Sequence, residues 1–256
     1  MRDLFPKQDQ LQATMFGGRF HANKPVVGGR DPSGAPSAAL FYWSHAYVTG
    51  DCEFGLHPHE GFEIMTFVLD GENAHYDTET GRWISLRKGD FQVIRSGAGL
   101  EHAERIAKGT RAFQMWFDPD VSRAIAQAPE YEDHLAADIA TVAEGSVTIT
   151  EYVGGPRGFR PATPGLLIQK LAFPTREERD LPLEAGKRYS IYVVAGRARL
   201  DGALLETDDM MNAAEGVLRV APEPGCELFV VALPASPAYT PIVQPALQRR
   251  TQPVPA

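Results

Sequence analysis

The chain has 256 residues, 43% of them apolar, with 25 basic and 33 acidic side chains and a formal net charge of −8. That length and apolar content allow one large core or two ordinary ones and exclude general disorder. The negative balance argues against direct binding to a phosphate backbone and against docking on an anionic membrane surface.

The first residues lack the apolar run of a secretory signal, and no uncharged apolar stretch reaches the ~20 residues of a membrane span. Cys52 and Cys226 lie far apart and form no Cys-x-x-Cys pair. A soluble cytoplasmic protein without a disulfide framework is expected. Cys52 reads as a small core residue rather than a redox centre.

The 24 glycines and 20 prolines cut the chain into short segments. Stretches rich in β-branched and aromatic residues recur at 39–48, 62–69, 91–94 and 112–117. Turn signals separate them at Asp70-Gly71, Thr80-Gly81, Lys88-Gly89-Asp90 and Ser96-Gly97-Ala98-Gly99. Many short strands at near-regular spacing predict a sandwich or barrel. The stretch 118–145, rich in Ala and acidic residues, predicts a partly helical linker.

Strand texture resumes at 147–153, 166–173, 189–194, 217–220 and 226–233. The run 189–196 parallels 62–71, each an apolar strand closing on a glycine turn, which predicts a duplicated barrel. His134 is the last histidine, so a second copy lacks imidazole donors. The expected division is a metal-binding barrel over 1–125, a linker over 126–145, and a metal-free barrel with tail over 146–256. The tail after Leu233, rich in Pro, Gln and Ala, is expected to wrap loosely.

The chemistry is concentrated in two alternate pairs, His57-Pro58-His59 and His102-Ala103-Glu104. In a strand, residues i and i+2 share a face about 6.5–7 Å apart, so two adjacent strands can aim four donors at one point. Three imidazoles and a carboxylate suit a first-row transition ion. A single strand histidine is more often a hydrogen-bonded structural residue, and that reading is preferred for His21, His45 and His75. Four donors facing one interior differ, because a buried unpaired carboxylate must find a proton, a partner or a cation. Pro58, without an N–H, fits an edge strand or a strand start. Glycines at 97 and 99 would let the backbone pass close to the site. Since imidazoles ligate only when neutral, affinity is expected to fall below about pH 6.

The run from His57 to Gly71, with Lys88-Gly89-Asp90-Phe91-Gln92 and Ser96-Gly97-Ala98-Gly99-Leu100-Glu101-His102-Ala103-Glu104, resembles the signature of the pirin family in the cupin superfamily. The close match spans about 55–117, with a weaker echo at Pro129-Glu130-Tyr131. The resemblance implies an all-β bicupin, two jelly-roll barrels with a short partly helical linker. It implies one metal in the first barrel, held by His57, His59, His102 and Glu104. Iron is the metal implied, with manganese, nickel, copper and zinc also open. Glu63 stands where many cupins place a carboxylate ligand. In the pirin pattern it is instead expected beside the ligands, orienting a histidine or facing the pocket. The tail Thr240-Pro241-Ile242-Val243-Gln244-Pro245-Ala246-Leu247 keeps only the Pro-Ile-Val part of the usual pirin ending.

The activity implied is quercetin 2,3-dioxygenase-type cleavage of a flavonol, a small aromatic substrate, by dioxygen. Glu104 would take the proton of the 3-hydroxyl. Phe62, Phe91 and Trp116 are candidates for apolar walls and, equally, for core packing. The alternative is a non-catalytic regulatory protein in which the metal is structural or redox-sensing and the partner is an unidentified protein. A different small-molecule reaction also remains open, because cupin barrels host several. An open coordination position beside a cavity large enough for three rings would favour the flavonol enzyme; a closed site would favour sensing.

Overall fold

The computed structural model describes residues 2–243, and those residues are almost entirely strand. In chain order the first half carries β1 (Arg2–Phe5), β2 (Leu11–Met15), β3 (Phe20–Val26), β4 (Leu40–Val48), β5 (Cys52–His59), β6 (Glu63–Asp70), β7 (Glu72–Asp77), β8 (Trp83–Arg87), β9 (Phe91–Arg95), β10 (Leu100–Ile106) and β11 (Arg111–Phe117). A single helical turn, α1 (Val121–Ala124), leads to β12 (Glu130–His134) and β13 (Ala140–Glu144). The second half contains β14 (Val147–Val153), β15 (Leu167–Phe173), β16 (Arg179–Ala195), β17 (Arg197–Leu200), β18 (Ala203–Glu206), β19 (Met210–Pro222) and β20 (Cys226–Pro234).

These strands form two jelly-roll barrels. In the first, a seven-stranded sheet of order β12-β9-β6-β11-β4-β3-β2 packs over a four-stranded sheet of order β5-β10-β7-β8. The second is one nine-stranded sheet of order β13-β14-β15-β20-β16-β19-β17-β18, with β1 paired to β19. Every pairing between these strands is antiparallel.

Strand alternation explains where each residue goes. On β6, Ile64 turns into the first barrel beside Ile94 and Leu100. Met65 and Phe67 turn the other way, into a core shared with Tyr152, Ile168, Tyr192 and Phe229 of the second barrel. The larger sheet of the first barrel is therefore buried on both faces. That is why 62–69 reads as a nearly continuous apolar run rather than an alternating one. The second barrel is filled by its own apolar cluster, including Leu171, Phe173, Ile191, Leu218 and Leu228.

Three expectations are corrected. The stretch 118–145 is partly helical, with α1 and a 3-10 turn at Ala136–Asp138, but it is not a free linker: β12 pairs with β9 of the first barrel and β13 with β14 of the second. Nor does the first barrel own all of 1–125, since β1 crosses to β19. The tail is anchored rather than loose as far as it is described. The Tyr239 hydroxyl donates to the Asp118 carbonyl, and the Ile242 N–H donates to the Asp118 carboxylate at 2.6 Å. Gln244 to Leu247 lie outside the described residues. No helix among the described residues is long and apolar enough to cross a membrane.

A polar clasp joins the barrels through the apolar interface. His45 Nδ1 lies 2.8 Å from Asp208 Oδ1 and 3.2 Å from the Tyr192 hydroxyl, and Lys7 donates to Asp208 Oδ2 at 2.8 Å. Burial lowers the His45 pKa against the pull of Asp208, with Arg111 and Lys7 adding to the lowering. Burial alone would raise the Asp208 carboxyl, but hydrogen bonds from His45 and Lys7 hold it below the usual range. An imidazole depressed on folding takes its proton first in the unfolded chain. Its stabilising contribution is therefore present above about pH 6.5 and lost as pH falls. Asp208 has the same sign at lower pH. The melting temperature is expected to drop between pH 7.5 and 5, and to drop less in His45→Asn, whose amide keeps a donor but does not titrate. Identical slopes in the two proteins would remove His45 from this role.

Candidate metal centre

β5 is an edge strand, which is where Pro58 can sit without costing a ladder hydrogen bond. Its register against β10 pairs His59 with Leu100 and His57 with His102, then slips so that Glu104 faces Phe54. One extra residue on β5 makes this a β-bulge. The bulge turns the Gly55 carbonyl toward His57, whose Nδ1–H donates to it at 2.8 Å. A carbonyl only accepts, so this bond fixes the tautomer and leaves the His57 Nε2 lone pair for another partner.

The rings of His57, His59 and His102 close a triangle with centroid separations of 5.0, 4.3 and 4.6 Å. One ring nitrogen from each lies within 4.8 Å of the others, so the three form a group able to hold a metal ion. Two nitrogens on one ion at about 2.1 Å sit about 3–3.5 Å apart, so small side-chain rotations suffice. The polar atoms support this. Both nitrogens of fully buried His102 and Nε2 of His59 have no hydrogen-bond partner among the described residues. Each such orphan costs about 1–3 kcal/mol unless something satisfies it. Burial, then the neighbouring imidazoles, depress His102 to about 2; burial, then His57, depress His59 to about 4. The pair therefore remains neutral and electron-donating at ordinary pH, as metal ligation requires.

Glu104 shares the interior face of β10 with His102 but is not part of the three-nitrogen group. Its carboxylate, nearly buried, accepts from Gln114 Nε2 at 3.1 and 3.2 Å, and the Gln114 carbonyl accepts from Trp116 Nε1–H at 3.2 Å. Beside it is a cavity of ≈ 120 Å³ that touches His57, Ser44, Thr66, Asn73 and Gln114. Asn73 Oδ1 is buried there with no partner among the described residues, a single polar point in a lining that is otherwise mainly apolar, with Phe20, Phe54 and Ile106.

Glu63 neither orients a histidine nor faces this cavity. It shares the strand face of Met65 and Phe67, so it points at the second barrel. There its oxygens accept from the N–H groups of Ala162 and Thr163 at 2.8 and 2.9 Å and from the Thr163 hydroxyl at 2.7 Å. Phe91, also a candidate wall, stacks on Phe67 and His134 within the inter-barrel core. Trp116 does lie against the site, its ring 4.7 Å edge-on from His59, with Phe62 beside it at 5.9 Å. Gly97 serves the chain rather than the metal: at φ 50° it packs so closely that a Cβ would sit 2.5 Å from the Gln127 carbonyl.

His21 stacks on Tyr47, and His45 joins the inter-barrel clasp. His75 comes closest to the centre, with its ring 5.2 Å from His102 and its Nε2 2.8 Å from Asp77. Cys52 and Cys226 are buried free thiols; burial raises the first and pushes the second up to about 12, which fits inert core residues. Sequence reasoning missed Gln114. Its only signal was its position two residues before Trp116 on a strand whose alternation turns both inward.

The pirin family profile matches residues 34–117. The quercetin 2,3-dioxygenase of Escherichia coli is 30% identical over 185 residues, covering 70% of this chain and 75% of that protein. A pirin-like protein of Solanum lycopersicum is 27% identical over 211 residues, covering 77% of this chain and 70% of that one. The crystal structure of bacterial pirin YhhW from Escherichia coli in complex with nickel(II) superposes with a TM-score of 0.75 at 21% identity, over 91% of this chain and 99% of that one. By sequence relationship and by fold, the chain belongs to the pirin family.

Proposed function

We propose that the first barrel binds one divalent transition ion through His57, His59, His102 and Glu104. We propose further that it acts on a small aromatic enol of the flavonol type with dioxygen, as the names of the curated relatives indicate for those proteins. The observation that carries this reading is the convergence of three imidazoles, with His59 Nε2 and both His102 nitrogens buried without partners among the described residues. Iron is our first choice, from the family resemblance; nickel is the ion of the YhhW complex.

A bound divalent ion would supply Lewis acidity, lowering the pKa of a coordinated hydroxyl. The chain supplies the rest. Gly55 fixes the His57 tautomer. Glu104 stands within the lumen to accept the proton of that hydroxyl, with Gln114 holding its carboxylate. Trp116 and Phe62 form an apolar wall against His59 on which a flat ring can lie. The ≈ 120 Å³ lumen beside Glu104 accommodates water, dioxygen or one small group, well below the ~300 Å³ of ordinary ligand pockets. The bulk of a flavonol would therefore remain outside, with only its reactive edge at the ion.

That small lumen is also what favours the second reading, a metal-dependent sensing role without turnover. Elemental analysis of protein purified without added metal, followed by incubation with quercetin with and without air, separates the two. The enzyme reading expects about one transition ion per chain and oxygen-dependent loss of quercetin with release of carbon monoxide. Metal without turnover would favour the sensor, and absence of metal would refute both.

A further inference from the structure

The interior of the first barrel is layered along its strands, and the layers follow from register. Trp116 and Tyr42 are direct partners beside the imidazoles. Two residues further along, Gln114 stands between Ser44 and Thr66 and reaches Glu104 across the lumen. Two residues beyond that, Ala112 is the direct partner of Ala46, and Ile106 follows Glu104 on β10. The ≈ 120 Å³ cavity spans the second and third layers and is bounded by Phe20 and Phe54, whose rings meet edge-on at 5.2 Å. The two facing alanines leave this space, and a leucine at either position would fill it. The polar groups of the middle layer are turned on one another. Gln114 donates to Glu104 and accepts from Trp116, and Gln92 donates to the Thr66 hydroxyl at 3.3 Å. Among the described residues lining the cavity, only Asn73 Oδ1 is buried without a partner. A held water needs ~2–4 polar partners, whereas an apolar cavity stays dry and takes up apolar guests such as xenon.

Resting on the enzyme reading above, we propose that this cavity is a dioxygen pocket, so that gas and flavonol reach the three imidazoles from different sides. The flat wall of Trp116 and Phe62 lies against His59. The cavity instead touches His57 and Glu104, and its lining includes neither His59 nor Trp116. Dioxygen is small and apolar and gains by leaving water for hydrocarbon, whereas a three-ring flavonol exceeds this volume. Met15, exposed on the edge strand β2, and half-buried Phe54 and His57 mark the outer end of the cavity. Ala112 and Ala46 set the room for the gas without standing on the flavonol side.

Xenon, an apolar atom whose binding here needs no metal, is the probe. Under xenon pressure the methyl NMR signals of Ile106, Ala112 and Ala46 in the full chain are expected to shift saturably. Ala112→Leu and Ala46→Leu are each expected to abolish the response, and having two variants guards against misfolding of either one. In iron-loaded protein, xenon is expected to raise the KM for dioxygen and to leave the KM for quercetin unchanged, a measurement that needs no substitution. The filled variants are expected to raise the dioxygen KM about fourfold or more, the factor that corresponds to one buried CH₂ group, again without change for quercetin. Absence of a xenon response at these methyls, or a dioxygen KM that xenon does not alter, would overturn the proposal while leaving the enzyme reading intact. Equal rises in both KM values would do the same. Failure of the unaltered protein to consume dioxygen with quercetin would overturn both.

Discussion

Replacing His102 with alanine is expected to reduce metal content to background in protein that remains folded. His102 is the hub of the triangle, with its ring 4.3 Å from His57 and 4.6 Å from His59. It is fully buried on an interior strand of its sheet, and neither nitrogen has a hydrogen-bond partner among the described residues. Without it, two imidazoles from one edge strand and the Glu104 carboxylate remain, too few donors to compete with water for an ion. In the unaltered protein, ion at 100 times its Kd should add about 2.7 kcal/mol to stability. The His102→Ala protein should show no ion-dependent shift in melting. Full metal content in the variant would remove His102 from the donor set. The pH profile carries a second signature. His59 and His102 are already held neutral down to about 4 and 2, so protons compete with metal at these two positions only in acid. Proton competition at these two positions should therefore begin only as pH approaches about 4, and a competition at His59 or His102 already complete at about pH 6 would contradict their burial.

The three imidazoles were legible because strand alternation is a strict period of two, and two His-containing pairs on neighbouring strands can converge in few ways. Barrel duplication was legible for a similar reason, since an apolar strand ending at a positive-φ glycine recurs at Gly71 and Gly196. What escaped depended on partners remote in sequence. The pairing of Arg2–Phe5 with β19 joins residues about 200 positions apart, and nothing local in the first five residues reports it. β12 and β13 resembled a helical linker because their Ala and acidic residues favour helices intrinsically, and the open sheet edges on β9 and β14 overrode that preference. The bulge at Gly55 and Leu56 was hidden because one inserted residue leaves no compositional trace. Gln114 was hidden because a neutral amide within an apolar strand shows its importance only through what it touches.

Glu63 shows how motif spacing can be recognised while its purpose is misplaced, and its replacement by alanine should cost about 3–5 kcal/mol while leaving the metal in place. The residue lies four positions after His59, but Glu60, Gly61 and Phe62 intervene between the strands, and β6 begins at Glu63 with its side chain on the inter-barrel face. It is fully buried, and its acceptors are matched by donors from the second barrel: the N–H groups of Ala162 and Thr163 and the Thr163 hydroxyl. Arg95 Nε stands 3.5 Å away, held in turn by Glu130 and Glu132 and packed over the ring of Phe159. Alanine would strand three donors and part of a guanidinium charge in a water-poor interface, which is why the cost should exceed that of a surface ion pair. Glu63→Gln should cost less, because its carbonyl still accepts while its NH₂ meets the N–H groups. Urea unfolding measures the loss, limited proteolysis near 162 should show the barrels separating first, and elemental analysis should find the ion still bound. Loss of metal from folded Glu63→Gln protein would restore the carboxylate to the metal centre and refute its assignment as the bolt between barrels. Retention of metal with a lowered unfolding midpoint would mean that the four-residue spacing after His59 encodes the docking of one barrel on the other.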